Sequence, residues 1–338
     1  MKKVLLIFFL LLMVNFIFLN ADVNFKGLVQ TWFSFADQNV DETTGYGFTL
    51  KRLRFKPYGN FGKNIKWGFQ VGWDKQSAKL YDAYIDFSLS KQFGIKIGQF
   101  SAPGSVSGAS TSSAKLDLIE RAMIIQKWNG NSGLFGYRAF GIQFHGKLMN
   151  NKLYYAFMVS NPNTTSLFNP GIKSSSYKHE NNGFGFWGRL EVKPVDGLSF
   201  GGFFGSSKTT DTELKRNSFG AHVFYVKNGF NFKVEYLSGQ YGLEDQETKY
   251  SGFFVVFGYK INNKIEPVIR YDTYTPNDGN ADAAGVEKYN NIGIGVNYYY
   301  CKRVKFQVNY LIRTETMSEG LDELKNNIFY VNFQYSFN

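Results

Sequence analysis

From Val23 to its last residues the chain repeatedly alternates apolar and polar residues over stretches of about ten positions. Ile65, Trp67, Phe69, Val71 and Trp73 interleave with Lys66, Gly68, Gln70 and Gly72. The pattern recurs at Phe93, Ile95 and Ile97, at Leu153, Tyr155, Phe157 and Val159, at Ile292, Ile294, Val296 and Tyr298, and at Val304, Phe306, Val308, Tyr310 and Ile312. Successive strand residues point to opposite faces, so each segment has one continuous apolar face and one polar face. Strands of a soluble sandwich are shorter, about six residues, and turn polar residues outward. Here the apolar face is longer and carries Tyr or Trp near its ends, at Trp73, Tyr298, Tyr300 and Tyr335. A face that meets lipid, girdled by aromatic residues, accounts for both features.

Segments of this kind lie near 23–36, 48–59, 65–73, 79–89, 93–101, 134–147, 151–160, 183–193, 197–206, 215–226, 230–241, 249–261, 265–275, 289–300, 303–313 and 326–337. They define an all-β fold, a transmembrane antiparallel 16-stranded β-barrel with both termini periplasmic. Connections alternate in length. Short turns rich in Gly and Asn occur at Gly62-Lys63-Asn64, Asn150-Asn151, Lys227-Asn228-Gly229 and Asn262-Asn263, and longer polar loops at 37–47, 102–133, 161–182, 275–288 and 314–325. Lys2 and Lys3 precede an apolar run from Val4 to Leu19 that ends near Ala21, the pattern of a cleaved secretory signal. The expected organisation is therefore a signal peptide over 1–21 and an outer-membrane barrel domain over 22–338. A C-terminal strand with Phe329, Val331, Phe333, Tyr335 and Phe337 on one face resembles the signal read by the barrel-assembly machinery, displaced by one because Asn338 follows.

Function is constrained chiefly by what the polar face carries. The formal charge of +11 falls to +9 without the two leader lysines. Export argues against nucleic acid as a partner, leaving anionic lipid and small anions. Parity places Arg52, Arg54 and Lys56 on the water face, opposite Leu53, Phe55 and Pro57. It turns Lys66, Lys96, Lys147, Lys152, Arg189, Lys193, Lys233, Lys260, Arg270 and Lys305 the same way, against the acids Asp82, Asp86, Glu191, Glu235, Glu266 and Asp272. A basic lumen favours anions, and Arg52, Arg54, Lys56, Lys66 and Lys96 are the candidate selectivity residues. The long segment 102–133 opens on Gly, Ser and Ala, then places Leu116, Leu118, Ile119, Ala122, Met123 and Ile125 at helical spacing. This predicts that the segment from about 113 to 128 contains a short helix, in a loop that folds into the bore, with Lys115, Arg121 and Lys127 at the constriction; an external cap or subunit contact is the alternative.

Enzymatic function is not expected. His145, His179 and His222 are the only histidines, no His-Glu-x-x-His signature occurs, and no nucleophile, base and orienting group can be seen to converge. The single Cys301 rules out an internal disulfide or a cysteine metal cluster, so neither metal nor cofactor is implied. The competing non-enzymatic reading is a surface-exposed structural or adhesin barrel, although sixteen strands imply an open, water-filled bore.

Four segments, Leu50-Lys51-Arg52-Leu53-Arg54 with Asp74 after the next hairpin, Leu80-Tyr81-Asp82-Ala83-Tyr84-Ile85-Asp86, Ile97-Gly98-Gln99-Phe100 and Leu118-Ile119-Glu120-Arg121, occur in an order that resembles the phosphate-selective porin O and P family. The resemblance spans essentially the whole mature chain. It implies a sixteen-stranded channel for small anions such as phosphate, a basic inner wall, a third extracellular loop folded into the pore and a homotrimer in outer-membrane lipid. Ser101-Ala102-Pro103-Gly104 departs from the family, whose members commonly carry Lys-x-Pro-Phe-Gly there.

Overall fold

The structure, a computed structural model, describes residues 21–36, 45–74, 77–132, 138–161, 183–208, 215–243, 247–282, 284–324 and 326–337. The expected signal peptide, apart from Ala21, and most of the loops at 37–47 and 161–182 lie outside these residues. Sixteen antiparallel strands close into a barrel in sequence order, β1 pairing with β16. They are β1 Ala21–Ala36, β2 Gly45–Phe61, β3 Ile65–Asp74, β4 Ser77–Ser88, β5 Gly94–Ser101, β6 Arg138–Leu148, β7 Leu153–Ser160 and β8 Gly185–Val192. The other half comprises β9 Leu198–Lys208, β10 Lys215–Lys227, β11 Phe230–Gly242, β12 Thr248–Tyr259, β13 Ile265–Tyr274, β14 Val286–Tyr299, β15 Val304–Met317 and β16 Ile328–Phe337. Closure leaves no strand edge unpaired, the condition for placing a sheet in hydrocarbon.

Alternation in sequence becomes alternation in exposure. On β14, Ile292, Ile294, Val296 and Tyr298 face outward, while Asn291, Gly293, Gly295 and Asn297 face inward. The tight turns use residues that tolerate a left-handed backbone. Both residues of Asn150-Asn151, Asn228-Gly229 and Asn262-Asn263 have positive φ, as two-residue hairpins with the right twist require.

Two bulges change which side chains reach the bore. Gln30 pairs with Arg52 but Thr31 pairs with Leu50, so Lys51 is an extra residue in β2. Gln70 pairs with Asp82 but Val71 pairs with Leu80, so Tyr81 is an extra residue in β4. Each bulge interrupts strict parity at its position.

The connection between β5 and β6 contains the expected short helix, placed at the end of 113–128 and running past it. A π-helical turn spans Val106–Ser110, a single 3-10 turn spans Ser113–Lys115, and an α-helix, α1, spans Met123–Ser132. Residues 116–122 form no helix and bend at 117–120. Their apolar side chains are buried as the spacing implied, but Ile119 gives its backbone N–H to Asn309 rather than to a helical carbonyl. Tertiary hydrogen bonds have overridden local periodicity.

Candidate functional site

Inward side chains of β11 and β13–β16, with β1, bind the segment 106–123 mainly by its backbone. Glu235 on β11 accepts from the N–H groups of Val106 and Ser107 at 2.9 and 3.2 Å. Asp272 on β13 accepts from the Met123 N–H at 2.9 Å, and Asn309 on β15 from the Ile119 N–H at 2.6 Å. Donors serve the carbonyls. Lys305 reaches Ala114 at 3.2 Å and Leu116 at 3.1 Å, Arg270 reaches Glu120 at 2.6 Å, and Gln30 reaches Ser113 at 3.2 Å. The Asp117 carboxylate takes both 2.7 and 2.8 Å contacts from Lys233 and a further 2.7 Å bond from Asn231. Leu118 lies over Gly293 and Gly295, where an added Cβ would come within 2.4 and 2.8 Å of its methyl carbons. Lys233, Arg270 and Lys305, all expected on the water face, are thus engaged by the segment.

The wall from β2 to β8 carries a second set of cations. Arg54 pairs with Asp74 at 2.8 Å, while Lys56 and Arg138 share Asp82 at 3.2 and 2.8 Å. Arg189 donates to Ser110 and lies 5.1 Å from the centre of the Tyr154 ring. Lys96 lies 3.7 Å from the ring centre of Tyr84 and 4.3 Å from that of Phe100. Lys51, turned inward at its bulge, and Arg52 both approach Glu120, at 2.9 and 3.7 Å. Burial disfavours the Glu120 carboxylate, but the Lys51 and Arg52 cations outweigh this and hold its pKa below the ordinary glutamate value.

Of the candidate selectivity residues, Arg54, Lys56 and Lys96 come together on this wall. Arg52 is buried and bonds Gln30 at 2.9 Å, so it belongs to the attachment of the segment as much as to the wall. Lys66 is exposed near the turn between β2 and β3, its backbone opposite Asp86. Of the candidate constriction residues, Lys115 is exposed, Lys127 lies 5.6 Å from the Tyr289 ring centre, and Arg121 donates to the carbonyls of Ser107 and Thr111 at 3.0 and 2.7 Å. Lys51 and Tyr81 escape parity because of the bulges. Arg138 escapes it because, as the first residue of β6, it reaches Asp82 from the rim.

Nothing among the described residues resembles a catalytic constellation. His145 contacts Asp86 at 3.0 Å, buried His222 is 3.9 Å from Glu191, and His179 lies outside the described residues. Gly197-Leu198-Ser199-Phe200-Gly201 has the spacing of a nucleophile elbow but forms a turn and the start of β9, with no helix following. Among the described residues no three of His, Cys, Asp and Glu are grouped as metal ligands.

A model of the family described as phosphate-selective porin O and P matches residues 23–192 and 202–337. Among solved structures, the anion-selective porin of Comamonas acidovorans is similar with a TM-score of 0.70 at 13% identity, covering 94% of this chain and 100% of that one. The outer-membrane channel DcaP of Acinetobacter baumannii is similar with a TM-score of 0.68 at 16% identity, covering 94% and 98%. OmpT of Vibrio cholerae, in its trimer form, is similar with a TM-score of 0.65 at 13% identity, covering 94% and 99%. At such identities these structures share the fold.

Proposed function

We propose that this chain, which belongs to the phosphate-selective porin O and P family and forms an outer-membrane porin channel, conducts anions in preference to cations and passes phosphate among them. The observation that carries the reading is the imbalance on the β2–β8 wall. Asp82 serves both Lys56 and Arg138, Glu120 serves both Lys51 and Arg52, and Lys96 has no carboxylate within ion-pair distance among the described residues. Cations left over in this way raise the local anion concentration without forming a single tight site, so a bound anion can leave. Arg54, Lys56 and Lys96, with Arg52 and Lys51 behind them, are the proposed selectivity residues, and segment 106–123, folded into the bore, narrows the path beside them. Arg121 supports the constriction by bracing that segment rather than by meeting the solute directly.

The same proposal takes residues 1–21 as an export signal and the functional unit as a homotrimer, in line with the trimeric OmpT form. The direct test is the reversal potential of the purified protein in planar bilayers across a KCl gradient. Its sign is expected to report chloride over potassium, and added phosphate is expected to reduce the chloride current by competing for the same wall. A potential of the opposite sign refutes the anion preference. Chemical cross-linking in mild detergent is expected to end at a three-subunit species, and a species that stays at one subunit refutes the trimer.

A further inference from the structure

The wall cations are gathered around two aromatic rings. Arg54 and Arg138 each lie with the guanidinium carbon 4.5 Å from the ring centre of Tyr81. Lys56 and Lys96 lie 5.3 and 3.7 Å from that of Tyr84. Each ring has a seat on the inner face of β3. A Cβ on Gly72 would come within 2.8 Å of the Tyr81 ring, and a Cβ on Gly68 within 2.8 Å of the Tyr84 ring. Glycine at these two inward positions is what lets the rings lie against the wall. Tyr81 is further fixed by its hydroxyl, which donates to Asp74 at 2.6 Å.

We infer that Tyr81 and Tyr84 are positioning residues for anion selectivity, holding four cations in pairs without cancelling their charge. A carboxylate that gathers two cations removes one unit of charge from the wall. An aromatic ring attracts cations through its quadrupole and has no net charge, so the positive field survives. The four cations here are matched by only two paired carboxylates, Asp74 and Asp82. Lys56 already pairs with Asp82, but Lys96 lies on the Tyr84 ring, and without that ring its flexible stem is free to turn toward Asp82 and Asp86. Asp86 is the backbone partner of Lys96 across the β4–β5 ladder. Ion pairs formed there would lower the field that anions meet, with no change in the number of charges.

The inference rests on the proposed anion preference for its consequence, and the test separates the two. Tyr84→Leu and Tyr84→Phe are to be reconstituted beside the wild type, with reversal potentials taken at low salt and conductance at high salt. Tyr84→Leu is expected to lower the anion-to-cation permeability ratio about twofold or more, on the scale of a partly desolvated cation–ring interaction. Tyr84→Phe keeps the ring and is expected to keep the wild-type ratio. A Leu variant with the wild-type ratio overturns the inference, as does a Phe variant that loses as much as the Leu variant. A wild type without anion preference overturns the proposed function alone, because the Leu variant must still shift toward cations relative to it. If Tyr84→Leu does not fold, Gly68→Ala displaces the ring from beneath, and the same shift, smaller in size, is expected; no shift overturns the inference.

Discussion

Replacing Lys56 and Lys96 together by glutamate is expected to carry the reversal potential across zero, from anion to cation preference, when measured at low salt. The two side chains share the Tyr84 ring, so the change is confined to one patch of wall. It alters the local charge by four units. In water each unit is worth roughly 0.6 kcal/mol to an ion at about 7 Å, before screening. The Debye length is about 10 Å at 0.1 M salt, so the shift in permeability ratio is expected to be on the order of tenfold there, and less than about twofold at 1 M, where that length is about 3 Å. Arg52 is a poorer choice for this purpose although it lies on the same face of β2 as Lys56. It is buried between Gln30 and Glu120, and a glutamate there would meet Glu120 and loosen the inner segment, mixing a charge effect with a steric one. A double variant that keeps the wild-type sign at low salt removes Lys56 and Lys96 from the selectivity wall.

Most of the barrel was legible because period-two alternation over ten residues has few other solutions. Turn residues such as Asn228-Gly229 fixed where the hairpins fall, and the closed ladder follows the sixteen expected segments closely. Parity also placed Arg54, Lys56 and Lys96 on the correct face. It failed where a strand holds one residue too many. Lys51 and Tyr81 lie on the inner wall only because of bulges, which depend on register with the neighbouring strand and leave no local mark in the sequence. Parity was silent on a second matter, namely what covers an inward residue. Lys96 and Lys305 look alike in sequence, yet one lies over a ring and the other binds two carbonyls of the inner segment. A signal for that difference does exist. Inward Asn and Gln at 231, 297, 307, 309, 332 and 334, beside inward glycines at 293 and 295, give a wall suited to bonding a chain laid against it. Helical spacing in 113–128 pointed to burial correctly and to a helix only in part, since wall side chains claim the backbone donors of Ile119 and Met123.

Excising residues 106–122 and rejoining the ends with a short Gly/Ser link is expected to raise single-channel conductance several-fold and to lower the anion-to-cation ratio. Sixteen paired strands close the barrel without help from this segment, so the channel is expected to assemble. The polar groups that the segment satisfies, Glu235, Arg270, Asn309 and Lys305, would meet water in a wider bore and keep hydrogen-bond partners. The loss falls on the apolar contacts. Leu118, Ile119 and Ala122 pack in one cluster with Leu237, Phe254, Val256, Val268 and Leu311, and uncovering these costs about 25 cal/mol for each Å² of apolar surface returned to water. Heating the variant in detergent is therefore expected to unfold it at a lower temperature than the wild type. Selectivity falls for a separate reason. Ions passing through a wider bore travel farther from Arg54, Lys56 and Lys96, and a separation beyond one Debye length leaves little of their field. Conductance and thermal stability are read independently, which makes the result decisive. A destabilised variant with unchanged conductance would mean that segment 106–123 braces the barrel from outside the conducting path, and the narrowing assigned to it would be wrong.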